Sequence, residues 1–134
     1  MPLAQVPTVK AMVVADEIYT DATTGKRIIC GTFSQIRAIQ IPGVFGKASY
    51  VFILLSDGLG EGTLRLRFVH LASNMMLLQS PPLALEFKDP LAVHDIVMQI
   101  PPFPLTEEGF YGLECWIDDN LIGSVRLDVS RMQK

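Results

Sequence analysis

Cysteine is scarce in this chain, and its two cysteines form no recognisable pattern. Cys30 and Cys115 are too few for the disulfide framework that stabilises small secreted domains. A disulfide between them across a folded domain is geometrically conceivable, but disulfides are rare in cytosolic proteins, where thiols are kept reduced. We therefore expect reduced thiols and a cytoplasmic location.

Charge is also scarce, and neither sign is concentrated along the chain. Charged residues make up 19% of the 134 positions and the net charge is −3, whereas soluble domains average about 25% charged residues. Nucleic acids and anionic membranes attract a basic stripe, and the lysines and arginines here are scattered. We expect neither kind of partner. The 49% hydrophobic share instead favours apolar surface that is covered by a protein partner or a second copy.

Long hydrophobic runs and targeting signals are missing as well. The strongest apolar run lies near Tyr50 to Leu55, far short of the roughly 20 residues that cross a membrane. The first ten residues, MPLAQVPTVK, lack the basic region and apolar stretch of a secretory signal. The sequence also has no G-x-S-x-G nucleophile elbow and no glycine-rich phosphate loop. We predict no cofactor and no enzymatic activity.

What the sequence does contain is a series of short runs with strand periodicity. Runs of strand type recur about every eight to twelve residues, each bounded by Gly, Pro, Asn or Asp, and no segment keeps a helical period. In Glu61 to Ala72, for example, Leu64, Leu66 and Phe68 alternate with arginines. The pattern predicts an all-β fold, an immunoglobulin-like antiparallel β-sandwich of about eight strands. The length predicts one domain over residues 1–134, with an extended leader over residues 1–8.

The prolines divide these runs. Phe33 to Ile41 is predicted to be an edge or near-edge strand, and Pro42 follows in a loop. Pro101 to Pro104 (PPFP) can donate almost no backbone hydrogen bonds, so we predict a rigid crossover there.

The segment from Glu107 to Val129 carries the clearest sign of the fold. It contains two apolar runs joined by a polar turn, and its start places Glu107, Gly109 and Tyr111 as in the tyrosine corner of immunoglobulin-like sandwiches. Leu113 occupies the place of the antibody cysteine, so no disulfide between the sheets is expected.

Four short motifs give the chain a resemblance to uncharacterised bacterial, cytoplasmic β-sandwich proteins of one domain. The motifs are D-x-x-T-G-K (Asp21 to Lys26), Ile41-Pro42, F-x-D-P-L (Phe87 to Leu91), and G-x-Y followed by W-x-D-D-x-x-I-G (Trp116 to Gly123). Such families have no assigned activity. The resemblance therefore implies a fold and a compartment but no chemistry.

Acidic residues in the loops are the candidates for a metal site. Calcium takes several oxygen ligands, and loops at one end of a sandwich can converge. Turns also select Asp for backbone reasons, and we favour that explanation. The metal candidates are Asp16, Asp21, Asp57, Asp118 and Asp119.

The histidines and cysteines are weaker candidates for chemistry. His70 and His94 each continue the inward face of a predicted strand and are not near a cysteine at metal-ligand spacing, so structural roles are favoured. Cys115 lies inside a predicted strand, where a thiol behaves as a small hydrophobic group. Cys30 is the better candidate for an exposed thiol.

Apolar residues in loops are the candidates for a partner surface. They either cap the core, which we favour, or are exposed and bind a partner. The residues are Val44, Phe45, Met75, Met76 and Phe103. The leading hypothesis is a non-enzymatic, cytoplasmic binding or scaffold module that self-associates. The alternatives are a calcium- or carbohydrate-binding sandwich that uses the acidic loops and, last, an enzyme that uses Cys30 or the histidines.

Overall fold

The computed structural model describes residues 1–132, which form twelve β-strands. Within that range there is no helix of the length and apolar character needed to cross a membrane. The strands are β1 (Thr8–Thr20), β2 (Arg27–Thr32), β3 (Gln35–Ala38), β4 (Gly43–Phe45), β5 (Ser49–Ser56), β6 (Gly60–His70), β7 (Met75–Gln79), β8 (Leu83–Phe87), β9 (His94–Ile100), β10 (Phe103–Leu105), β11 (Gly109–Ile117) and β12 (Asn120–Arg131).

The strands form two large sheets that pack face to face. One has the order β2-β1-β5-β9, and the other has the order β3-β12-β11-β6-β7, with β8 also paired to β6. All pairs are antiparallel except β3 with β12, which is parallel. The predicted immunoglobulin-like β-sandwich is confirmed. We call the two sheets the four-stranded sheet and the large sheet.

The strand count is twelve rather than about eight, because several strands are short or divided. Pro81-Pro82 separates β7 from β8, and both strands pair with β6 along the same edge. A separate two-stranded sheet joins β4 to β10. The prediction that PPFP is only a crossover is therefore wrong. Pro104 lies opposite Val44 at the middle of this three-residue ladder, where a missing N–H is tolerated because the flanking residues can make the bonds.

The core lies between the sheets and follows the period of two in the sequence. Val51, Ile53 and Leu55 of β5 are completely buried, and Leu64, Leu66 and Phe68 of β6 face them from the large sheet. The alternate residues, among them Arg65 and Arg67, point away from the core. Burial of the apolar faces supplies the main driving force for folding.

Two segments differ from their predicted extent. The strand predicted over Phe33 to Ile41 is shorter, because only β3 pairs and the next residues bend. The leader is hydrogen-bonded along the connection between β5 and β6, with Leu59 N donating to Gln5 O at 3.0 Å. A side chain at Gly60 would run into the backbone of Pro2 and Leu3, so this close approach requires glycine.

The hairpin formed by β1 and β2 curves over the four-stranded sheet. Arg27 Nε lies 2.8 Å from Asp95 Oδ2, although β2 and β9 are the two opposite edges of that sheet. Neighbouring strands lie about 4.8 Å apart, so in a flat sheet these edges would be separated by about 14 Å. The contact therefore requires the hairpin to fold back over the outer face.

Candidate functional site

The five candidate metal ligands are divided between the two ends of the sandwich. Ile117 pairs with Leu64 near the start of β6, so the turn with Asp118 and Asp119 lies at the same end as Asp57. Ala15 pairs with Tyr50 at the opposite end of β5, which places Asp16 and Asp21 at the other end. In the described part of the chain, no three His, Cys, Asp or Glu residues are close enough to hold a metal.

Two of these aspartates, Asp21 and Asp118, have roles in turns. Asp21 Oδ1 accepts hydrogen bonds from the backbone N–H groups of Thr23 and Thr24 at 2.8 and 3.2 Å, and these bonds lower its pKa. Asp118, at a φ of 51°, accepts from Thr63 N at 3.0 Å. The Asp21 bonds and the positive φ of Asp118 are the backbone reasons for which turns select Asp.

Asp57 and Asp16 make contacts with neighbouring strands and loops. Hydrogen bonds from the Ser56 hydroxyl and the Lys10 ammonium group lower the pKa of Asp57. Asp16 forms an ion pair with Lys47 at 3.1 Å. Among residues 1–132, the structure thus provides no converging set of ligands for the calcium hypothesis.

An open groove with an acidic lining lies beside the Asp118 turn. It measures about 530 Å³ and is bordered by Glu61, Thr63 and Glu86 as well as Asp118. Glu61 and Glu86 are directly opposite on β6 and β8, an arrangement in which like charges repel. The chain's amino group lies 3.4 Å from Glu61 and offsets part of that charge.

Tyr111 forms the corner that its spacing from Glu107 and Gly109 predicts. Its hydroxyl donates to Glu107 O at 2.6 Å and accepts from Thr106 N and Glu107 N at 3.1 Å. Gly109 has a φ of 135°, a conformation that favours glycine. The ring is fully buried and stacks on Phe68 at a centroid distance of 5.1 Å.

His70 lies beside this corner, between a hydroxyl and a carboxylate. Its Nδ1 is 2.8 Å from Ser73 Oγ, and its Nε2 is 3.0 Å from Glu107 Oε1. The order serine, histidine, carboxylate is that of nucleophilic hydrolases. Here the imidazole is only 5% exposed and packs edge-on against Tyr111, so the arrangement ties the β6–β7 turn to the corner.

The remaining candidates for chemistry are not brought together. His94 packs edge-on against Phe87, and its buried Nε2 has no hydrogen-bond partner among the described residues. Cys30 is exposed and Cys115 is fully buried, and both are free thiols. Burial raises the pKa of the Cys115 thiol to about 12, which removes it as a nucleophile at neutral pH.

The apolar loop candidates separate into exposed and buried residues. Val44, Met75 and Met76 are 69%, 57% and 52% exposed. Phe103 is 2% exposed and packs with tilted rings against Phe45 and Phe68. Phe103 therefore offers no surface to a partner, because it closes the end of the core, and Phe45 is half-buried beside it.

The outer face of the large sheet has a composition that the sequence did not single out. Four of the chain's six arginines and its single tryptophan point outward there. Their neighbours along each strand face the core, and adjacent side chains on a strand point to opposite faces. We call this surface the arginine face. It consists of Arg37, Arg65, Arg67, Leu71, Met76, Phe110, Trp116 and Arg126.

Side chains at the centre of the arginine face are held in a network. The Arg67 guanidinium lies 4.3 Å from the centroid of the Trp116 ring, and its Nε donates to Gln79 Oε1 at 2.9 Å. Trp116 Nε1 donates to Glu114 Oε1 at 3.0 Å. Cation–π contacts and hydrogen bonds of this kind fix side chains before any partner binds.

An apolar cluster adjoins this network at the end of β6. Leu71 and Phe110 are 38% and 51% exposed, and their backbones are joined by a 3.1 Å hydrogen bond. Leu71 lies against Gly112, which leaves it room by having no side chain. Alternation in the sequence already placed Arg65 and Arg67 outward, but their neighbours across the strands depend on tertiary pairing.

Comparison with known proteins identifies the family of this chain. No curated protein matches the chain. A solved structure of an immunoglobulin-like protein from Pseudomonas aeruginosa aligns with 95% of this chain and 99% of its own, at 12% identity and a TM-score of 0.45. The model of a family of unknown function, DUF6941, matches residues 10–130, and the chain belongs to that family.

Proposed function

We propose that this protein is a non-enzymatic, cytoplasmic binding module that self-associates and that binds a protein partner through the arginine face. The observation that supports the proposal is the composition of that face. Interface centres are enriched in Trp, Phe, Met and Arg and depleted of Lys. The arginine face has the first four residue types, and its strands carry no outward lysine among residues 1–132.

The rigidity of these side chains also supports partner binding. Arg67, Trp116 and Glu114 are already held by mutual contacts, so binding would cost little side-chain entropy. Leu71, Met76 and Phe110 add exposed apolar surface beside them. Methionine adapts its shape to different partners.

Charge defines the class of partner. The arginines outnumber Glu114 and Asp128 at the centre of the face, whereas the chain as a whole has a net charge of −3. We therefore expect a protein that presents an apolar patch flanked by acidic residues, because complementary charges favour encounter and register.

The test is affinity capture with quantitative mass spectrometry from cells that make the protein. Arg65→Glu/Arg67→Glu reverses two charges on the face, and Lys26→Glu/Lys88→Glu makes the same charge change at two exposed positions elsewhere. A genuine partner is captured by the wild type and the lysine variant and is lost with the arginine variant. Purified partner and protein must then reproduce the difference.

Two results would contradict the proposal. The first is that every captured protein is retained equally by both variants, which would remove the arginine face as the docking surface. The second is covalent labelling of Ser73 by a fluorophosphonate probe in the folded protein. Such labelling would show that the Ser73–His70–Glu107 series is reactive and would contradict the non-enzymatic assignment.

A further inference from the structure

We infer that two copies of this chain associate through β9, which pairs antiparallel with β9 of the second copy about a twofold axis at Val97. The inference rests on the proposed self-association and assigns it to one strand edge. The result would be a continuous eight-stranded sheet made from the two four-stranded sheets.

The two sheets have four edges, and three of them carry features that discourage pairing with another chain. The β7–β8 edge is interrupted by Pro81-Pro82. The β2 edge contains Gly31 with a φ of 72°, and β3 is only four residues long. Breaks, irregular backbone and short length are the usual protections of edge strands.

The fourth edge, β9, lacks such protection. Its seven residues, His94–Ile100, include no proline or glycine, and its pairing with β5 runs without a bulge. It lies at the end of the order β2-β1-β5-β9, so alternate backbone N–H and C=O groups face away from β5. Its single charged residue, Asp95, forms an ion pair with Arg27 of the same chain at 2.8 Å.

The sequence of β9 selects a second copy as the occupant. With the axis at Val97, Asp95 of each copy lies opposite Gln99 of the other, so a carboxylate meets an amide donor twice. Ile96 then lies opposite Met98. A shift of the axis by one residue either way would place Asp95 or Gln99 opposite Val97, and the axis at Met98 would also bring Pro101 into the ladder.

The same axis continues the apolar surface of the sheet. Val97 lies opposite Phe52, and Phe52 lies opposite Val13. Twofold symmetry would join this row to its copy, so that the two Val97 side chains touch at the centre. An isologous contact of this kind closes on itself and gives a dimer rather than a fibre.

The first experiment is light scattering with analytical ultracentrifugation on three proteins over a range of concentrations. We expect the wild type to dimerise. Gln99→Glu should weaken the dimer about fivefold or more, because two carboxylate pairs would then repel, and Gln99→Lys should strengthen it by a similar factor. Gln99 is exposed, so both variants should keep the wild-type circular dichroism.

The second experiment is cysteine cross-linking in a Cys30→Ser background, with diamide as the oxidant. Opposite residues of an antiparallel pair have Cα atoms about 4.5 to 5.5 Å apart, within the range of a disulfide. Val97→Cys should therefore form a covalent dimer within minutes. Ile39→Cys, at a side chain that is 86% exposed, is the matched control and should remain monomeric.

The outcomes separate this inference from the proposed function. A wild-type protein that is monomeric at every concentration would overturn both the pairing and the proposed self-association. A wild-type dimer that is indifferent to both Gln99 variants, with no faster cross-linking at position 97 than at position 39, would overturn only the assignment to β9.

Discussion

Nε2 of the His70 imidazole lies 3.0 Å from Oε1 of Glu107, and this contact joins the end of β6 to the turn before β11. A carboxylate can only accept, so Nε2 carries a proton, and in the neutral ring Nδ1 accepts from the Ser73 hydroxyl at 2.8 Å. The ring also packs against Tyr111. One buried side chain therefore connects a turn, a strand end and the corner.

The two histidines should respond differently to the same substitution. His70→Leu should lower the free energy of unfolding by about 1 kcal/mol, because the bonds that join the β6–β7 turn to the corner are lost. His94→Leu should leave it unchanged or raise it, because Nε2 of His94 is buried without a partner in the described residues. Urea denaturation measures both, and equal shifts would contradict the distinction.

Removal of the Tyr111 hydroxyl should destabilise the fold more than removal of an exposed one. Tyr111→Phe leaves Glu107 O and two backbone N–H groups without their bonds, at an expected cost of about 1–3 kcal/mol. Tyr19→Phe is the control, since Tyr19 is 51% exposed and its hydroxyl donates only to the neighbouring Glu17. The comparison fails if the two variants have the same unfolding midpoint.

The two cysteines should differ in reactivity towards a thiol reagent. Cys30 is exposed, whereas burial raises the pKa of Cys115 to about 12. At neutral pH the native protein should release one equivalent of thionitrobenzoate from Ellman's reagent, and the denatured protein two. Cys30→Ser should abolish the signal of the native protein and leave one equivalent in the denatured protein. That result would assign the exposed thiol to Cys30 and the buried thiol to Cys115. Rapid labelling of Cys115 in the native state would contradict its burial.

The contribution of Asp21 to stability should depend on pH. Backbone hydrogen bonds from Thr23 and Thr24 lower its pKa from the ordinary value of 3.8. A lowered pKa means that the stabilisation is present above the unfolded-state pKa and is lost as pH falls through the folded-state value. The difference in melting temperature between wild type and Asp21→Ala should therefore be largest at neutral pH and shrink below about pH 4. A constant difference would contradict this role.

Much of the fold could be predicted from local patterns. The alternation in β6 placed Leu64 and Phe68 in the core and Arg67 outside, because side chains on a strand point to opposite faces by geometry alone. The spacing of Glu107, Gly109 and Tyr111 predicted a corner whose bonds span only a few residues. These inferences needed no knowledge of which strands are neighbours.

The site depended on information that one segment does not contain. Phe103 was a candidate for a partner surface, yet it is buried, because β10 pairs with β4 at the end of the core. The aspartates were candidates for one metal site, yet the order of the strands places them at opposite ends. The arginine face exists because β3, β12, β11 and β6 are neighbours, although Arg37 and Arg126 are far apart in sequence.

The sequence by itself determined the strand content, the inward and outward faces and the turn chemistry, since each follows from backbone geometry over a few residues. Tertiary structure alone decided which strands are edges, which loops share an end and which side chains meet across the sheets. The contacts of His70 with Glu107 and of Arg27 with Asp95 belong to the second group. Both join residues that are distant in sequence, and only the packing of the two sheets and the curve of the first hairpin bring them together.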